Sequence, residues 1–176
     1  MSDAVPTLQG ARLVLRPGAA ADVAALGLIR EEASVTQWWG RPEPAEQLAA
    51  ALRGDDDEVV LVIEIDGRAA GLIQFLEENE PDYRHASIDI YLGSRYQDAG
   101  LGREAIALLA AYLIDVRGHH RLTIDPAVAN ERAIRSYRAV GFRPVGVMRR
   151  YERGLDGEWH DGLMLDLLAE ELVRPA

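Results

Sequence analysis

A strand, a turn holding two glycines and a helix follow one another between Ser87 and Val116, and no other stretch constrains the chain as strongly. The run Ser87-Ile88-Asp89-Ile90-Tyr91-Leu92 alternates polar and apolar residues, the period of a half-buried strand. The turn is Gln97-Asp98-Ala99-Gly100-Leu101-Gly102-Arg103. After it, Leu101, Ala105, Leu108, Leu109, Tyr112 and Val116 recur at helical spacing. Such an order builds a site for a phosphate anion. Glycines let the backbone approach, and the first N–H groups of the helix have no partner within it. Gly-x-Gly alone is weak, because an ordinary tight turn into a helix looks the same. A second segment strengthens it: Asn130-Glu131-Arg132-Ala133-Ile134-Arg135-Ser136-Tyr137, then Gly141-Phe142.

The bulk properties bound the rest. A chain of 176 residues fits one domain, residues 1–176, and can bury roughly two thirds of its surface. Its 48% hydrophobic content allows a core, yet no run of 18 apolar residues suggests a membrane span. The start, Met1-Ser2-Asp3-Ala4-Val5-Pro6, lacks the basic and apolar regions of a signal peptide, so a cytoplasmic location is expected. The absence of cysteine excludes disulfides, thiolate nucleophiles and thiolate metal sites. A net charge of -10 argues against nucleic acid and suits a cationic substrate, though acidity also serves solubility.

Along the chain, residues 11–16 suggest a strand and residues 20–32 a helix, with Val23, Leu26 and Ile29 as its stripe. Trp38-Trp39-Gly40 ends that region, and a further helix runs to about Leu52. Residues 59–65 and 69–76 predict a hairpin around Asp66-Gly67. An acidic loop, Glu77-Glu78-Asn79-Glu80-Pro81-Asp82, leads to the strand at 85–92. The alternation there sets His85, Ser87, Asp89 and Tyr91 on one face. A short strand at 120–124, a helix from 130 to 140 with Asn130 as N-cap, and a last hairpin around Asp156-Gly157 complete the pattern. The fold class is α/β with a mixed sheet.

Several residues could carry chemistry, each beside a plainer role. Asp89 could bind and deprotonate an amine, or face solvent. Asp125 could bind substrate, or form an Asp-Pro turn with Pro126. Tyr137 lies seven residues after Asn130, near the same helix face, and could donate a proton or only pack. Trp38 and Trp39 could line a site or cap the core. His119 and His120 would point to opposite faces of a strand, so no metal site is expected.

Together the Gly turn and the Asn130–Phe142 segment resemble the acetyl-coenzyme A site of the GNAT superfamily of N-acetyltransferases. Within it the chain looks most like the aminoglycoside 6'-N-acetyltransferases. The likeness rests on Asp125-Pro126, Asn130, Arg132-Ala133-Ile134-Arg135, Tyr137 and Gly141-Phe142; on Trp38-Trp39-Gly40; on Gly71-x-x-Gln74; and on Ile88-Asp89. It implies a central, mostly antiparallel sheet, splayed near Leu92-Gly93 and flanked by helices. It implies acetyl-CoA as cosubstrate, held by Leu92, Gln97, Asp98, Ala99, Gly100, Leu101, Gly102, Arg103, Asn130, Ala133 and Tyr137. A backbone N–H near Leu92 would face the oxyanion. Asp89 would be the base or amine anchor and Tyr137 the acid. Trp38, Gln74, Asp89 and Asp125 would bind a small-molecule amine, with the acidic loop adding negative field. A monomer or homodimer with antibiotic-resistance activity is the matching expectation. Two features depart from the pattern. Gln97 stands where the superfamily often has Arg, which removes positive charge beside the pyrophosphate. The last hairpin, residues 151–161, looks instead like acetyltransferases of ribosomal-protein N-termini.

Overall fold

Residues 59–65 are almost continuously apolar, as a strand covered on both faces must be. The computed structural model, which describes residues 6–55 and 57–174, places them near the middle of an eight-stranded sheet. In chain order the elements are β1 (Leu8–Gln9), β2 (Val14–Pro17), α1 (Val23–Arg30), α2 (Ala33–Trp39), α3 (Ala45–Arg53), β3 (Val59–Ile65), β4 (Arg68–Glu78), β5 (His85–Leu92), α4 (Leu101–Asp115), β6 (Arg121–Ile124), α5 (Glu131–Val140), β7 (Arg143–Arg153) and β8 (Trp159–Leu168). The sheet order is β1-β2-β3-β4-β5-β6-β8-β7. Only β5 and β6 run parallel.

Each face of the sheet has its own core. On one side Leu61, Ile63, Phe75, Ile88 and Leu122 pack with Ala105, Ile106, Leu109 and Leu113 of α4 and with Tyr137 and Val140 of α5. On the other, Val60, Val62, Leu72 and Tyr91 pack under Leu26 and Ile29 of α1 and Leu48 and Leu52 of α3. Successive β3 residues therefore serve opposite cores, as the strand period demands.

The helix expected over residues 20–32 forms as a 3₁₀ turn at Ala20–Asp22 followed by α1 and ends before Glu32, where the chain is extended (ψ 134°) before α2 begins. Two contacts fix its ends. Asp22 is buried and taken by Arg16 in a two-pronged ion pair, with a third bond from the Ala19 N–H. The Glu32 carboxylate leaves the helix line to accept the Ser94 N–H just beyond β5.

Two local features shape the centre of the sheet. In the β3–β4 pairing Ile63 faces Gly71 and Glu64 faces Ala69, which leaves Ala70 as a bulge. The Ala70 carbonyl then accepts the Gly93 N–H, drawing the end of β5 onto β4. This closeness leaves no room for a side chain at position 71, where a Cβ would lie 2.2 Å from the Tyr91 carbonyl oxygen and 2.9 Å from the Leu92 Cα. The second feature is the loss of pairing between β5 and β6. Their ladder covers only Ala86–Leu122 and Ser87–Thr123. From Ile88 onward β5 has no strand on that side, which is the splay the sequence resemblance implies.

Replacing Gly71 by alanine should therefore cost about 2 kcal/mol or more, since both clashing atoms belong to backbone. Thermal unfolding of Gly71→Ala should show a loss of several degrees. An unchanged melting temperature would mean the two strands separate freely at this point.

Candidate active site

The open edge of β5 is held by side chains instead of a strand. The Ile90 carbonyl accepts the Trp39 indole N–H at 3.1 Å, and the Leu92 carbonyl accepts the Gln97 amide at 2.8 Å. Two adjoining recesses, of about 310 and 340 Å³, lie along this edge. They share Trp38, Trp39, Ile90, Asn130 and Tyr137.

The first recess is floored by the Gly turn. Asp98 and Gly100 both adopt positive φ, 61° and 75°. Among the described residues, the backbone N–H groups of residues 98–103 find no acceptor. The turn and the first residues of α4 thus form a concave row of donors at a helix N-terminus. Arg12 supports it from behind, donating to the Ala99 carbonyl at 2.9 Å and pairing with Glu104 of α4. Of the residues the resemblance assigns to the coenzyme, Leu92, Gln97, Asp98, Gly100, Gly102, Arg103, Asn130, Ala133 and Tyr137 line this recess. Ala99 and Leu101 do not. The Ala99 carbonyl is turned to Arg12, and Leu101 is buried in the core, so only their N–H groups could serve.

Gln97 does not act as a stand-in for a cation. It is a brace, donating to Leu92 and accepting from the Arg132 guanidinium at 2.6 Å. Arg132 also lies 3.7 Å from Asp98. Positive charge comes from Arg103 of α4 and from Arg132 and Arg135 of α5, all lining the recess. The loss of charge inferred from Gln97 is thus offset by side chains from a different helix. The fixed spacing of Asn130-x-Arg132-x-x-Arg135 was the available signal for them.

The second recess is acidic and aromatic, lined by Asp89, Asp125 and Glu152, by Trp38, Trp39, Tyr137 and Tyr151, and by no arginine. Burial, first, and then the charges of Asp125 and Glu58 raise the Asp89 carboxyl to about 6. Tyr151 donates a short hydrogen bond to Asp125, which together with burial pushes its hydroxyl up to about 12. Burial raises Glu152 as well. Tyr137 is only 8% exposed, and burial with the charges of Asp89 and Asp125 pushes its hydroxyl well above the usual range. That hydroxyl makes no hydrogen bond among the described residues. Tyr137 belongs to the α4–α5 core, whereas Asp89 projects on the opposite face of β5. They meet in one cavity because the sheet is open between β5 and β6.

The remaining polar residues near Asp89 are placed as follows. Gln74 lines neither recess itself; it sits opposite Asp89 across the β4–β5 ladder, where its side chain hydrogen-bonds the Asp89 carboxyl and also donates to Glu58 at 3.1 Å. The acidic loop also lies away from the recess. Glu77 is held by Arg117 at 2.7 Å and His119 at 2.6 Å, and Glu78, paired with His85, stands four residues along the ladder from Asp89. That separation is roughly 13 Å of strand. His85 bonds to the Tyr83 carbonyl and lines neither recess. Glu152, which sequence reasoning did not single out, takes the loop's place. Asn130 does cap α5, accepting the Ala133 N–H at 3.2 Å, while lining both recesses.

Comparison with known proteins identifies the family. Residues 27–142 match the model of the Acetyltransferase (GNAT) family. The spermidine N(1)-acetyltransferase of Escherichia coli K12 is 29% identical over 165 residues, covering 90% of this chain and 87% of that protein. The structure of Mycobacterium smegmatis RimJ, in complex with CoA-disulfide, is 26% identical with a TM-score of 0.80, over 98% of this chain and 90% of that one. The ribosomal L7/L12 acetyltransferase RimL, in complex with coenzyme A, shares the fold at 22% identity and a TM-score of 0.81, over 93% and 98% of the two chains. The chain belongs to the GNAT acetyltransferase family, whose members use acetyl-CoA. No helix among the described residues is long and apolar enough to cross a membrane.

The free N–H row and the α5 arginines fit a pyrophosphate, and this fit can be tested by binding. Gly100→Val puts a branched side chain where φ is 75° and the backbone must approach phosphate. It should weaken coenzyme A binding at least tenfold by calorimetry. Arg132→Ala should weaken it about tenfold, with a shallower salt dependence. Unchanged affinity in both folded variants would move the coenzyme elsewhere.

Proposed function

We propose that this protein transfers the acetyl group of acetyl-CoA directly to a primary amine of a small polycationic molecule. The observation that carries this reading is the second recess, where Asp89, Asp125 and Glu152 converge beside aromatic rings with no arginine among the lining residues. Carboxylates hold ammonium groups, and aromatic faces attract them further. The aminoglycoside 6'-amine is the acceptor implied by the sequence resemblance. The relative named for spermidine points to the same class of cationic amine.

Acetyl-CoA supplies an acyl carbon already activated as a thioester. In the proposed reaction Asp89 first takes a proton from the acceptor ammonium. With a carboxyl poised at about 6, it is mostly ionised at neutral pH yet basic enough to relay a proton. The amine nitrogen then bonds to the acyl carbon, and a backbone N–H at Leu92 faces the resulting oxyanion. As the carbon–sulfur bond breaks, the Tyr137 hydroxyl gives its proton to the departing sulfur. Its raised pKa keeps it protonated until then. The nitrogen, still carrying one proton too many after it bonds to the acyl carbon, passes that proton through water to the Tyr137 oxygen. Asp89 releases the first proton to solvent, so of the two protons the ammonium loses one ends on the thiol and one in solvent.

Asp89→Asn should lower kcat/KM about 100- to 10,000-fold while sparing coenzyme affinity. It should also raise the melting temperature. A carboxyl raised from 3.8 to about 6 destabilises the fold once ionised, by on the order of 3 kcal/mol above pH 6, and asparagine removes that cost. In the unaltered protein kcat/KM should fall as pH drops below about 6, because only ionised Asp89 accepts a proton. Tyr137→Phe should lower kcat with little change in melting temperature. Thiol release with spermidine, kanamycin and a ribosomal-protein N-terminal peptide tests the acceptor class. Cationic amines should react best, with KM rising with salt. The resemblance of the last hairpin, residues 151–161, to acetyltransferases of ribosomal-protein N-termini gives the peptide its place in the panel. A peptide clearly preferred over both amines would overturn the reading.

A further inference from the structure

Glu152 is a half-buried carboxylate in the acceptor recess that makes no hydrogen bond or ion pair among the described residues. Its situation differs from that of the other acids around the site. Asp125 accepts the Tyr151 hydroxyl, Glu58 accepts the Gln74 amide, and Asp161 accepts the Arg150 N–H. A carboxylate partly withdrawn from water and left unpaired is costly unless a cation reaches it. The nearest basic group acting on it is His160, which is itself committed to Asp156 at 2.9 Å. The same recess is lined by Tyr137, a residue more than nine-tenths buried whose hydroxyl has no hydrogen-bond partner among the described residues. The cavity therefore carries a reacting end, Tyr137 and Asp89, and a separate anionic end on β7.

Resting on the acetyl-transfer reading above, we infer that Glu152 is a specificity-determining residue that binds a second, non-reacting ammonium group of the acceptor. The preferred substrate would then be a diamine or longer polyamine, with one nitrogen at Asp89 and another at Glu152. Three features support this. The recess of about 340 Å³ is roomy for a single amine alone. Its aromatic walls suit the methylenes between two charges. Glu152 comes from the β7–β8 hairpin, a different element from the strand that carries Asp89, so the two anchors can be spaced across the cavity.

The test compares matched acceptors, butylamine and 1,4-diaminobutane, with spermidine as a longer triamine, by thiol release. For the unaltered protein kcat/KM should favour the diamine and the triamine by tenfold or more. In Glu152→Gln that ratio should fall about tenfold, chiefly through KM for these two, and Glu152→Asp should restore part of it. A general structural defect would lower activity with all three amines alike and leave the ratio unchanged. Spermidine should raise the melting temperature of the unaltered protein more than that of Glu152→Gln. If the diamine ratio is the same in both proteins, the role of Glu152 is wrong while the acetyl-transfer reading stands. If no cationic amine is acetylated and the peptide is, the reading and this inference fall together.

Discussion

The parting of β5 from β6 is the constraint on which the site depends. Two strands in a ladder satisfy each other's backbone groups and leave no space between them. Here the ladder ends at Ser87–Thr123, and the next residues of β5 form one wall of an open slot. Exposed backbone must find other partners, and it does so through Trp39 at Ile90 and Gln97 at Leu92. Those two side chains belong to the two flanks of the site, the α2 wall and the Gly turn. The slot also lets Tyr137, rooted in one core, reach the same cavity as Asp89, which projects from the opposite face of the sheet. Closing the ladder by even two residues would separate them.

Electrostatics divide the slot into two halves of opposite sign. One half offers the free N–H row at the start of α4 and Arg103, Arg132 and Arg135. The other offers Asp89, Asp125 and Glu152. Tyr137 and Asn130 stand at the boundary, lining both. An anionic coenzyme and the proposed cationic acceptor would each be repelled from the wrong half, so charge would favour one order across the slot. The net charge of -10 hides this division, because most of the acids lie elsewhere. Glu77, for instance, is spent on Arg117 and His119, tying the end of β4 to the turn after α4.

What could be read in advance follows local physics. The strand, Gly turn and helix were legible because alternation, glycine and helical spacing each act over a few residues. The two hairpins announced themselves through Asp66-Gly67 and Asp156-Gly157. The helix end near Glu32 was legible, but the contact that holds Glu32 there, to the Ser94 N–H 62 residues away, was not. Gln74 illustrates the same limit: its type and place matched a pattern, but that its side chain serves both Glu58 and Asp89 depends on the β4–β5 register. Glu152 was hidden for the opposite reason. Nothing in Tyr151-Glu152-Arg153 distinguishes that acid from its many neighbours until β7 is folded beside Asp125.

The Trp38–Trp39 wall shows how a buried charge can serve this architecture. Arg30 is only 3% exposed, an unfavourable place for a lone cation. It is compensated on several sides. Glu43 accepts its Nε–H at 2.9 Å, the carbonyls of Trp39 and Arg41 accept from a terminal nitrogen, and the rings of Trp39 and Tyr91 lie 5.6 and 5.7 Å from its centre. These partners come from α2, the α2–α3 connection and β5, so the guanidinium ties the segment carrying both tryptophans to the splayed strand through Nε and one terminal nitrogen, while its other terminal nitrogen is buried without a hydrogen bond among the described residues. Trp39 stacks edge-on against Tyr91 and hands its own N–H to Ile90. An apolar residue at position 30 could fill the volume but could not bind the two carbonyls. The wall of the acceptor recess is thus held in place by the need to neutralise a charge behind it, and the open edge of β5 is kept open by the residues that this charge anchors.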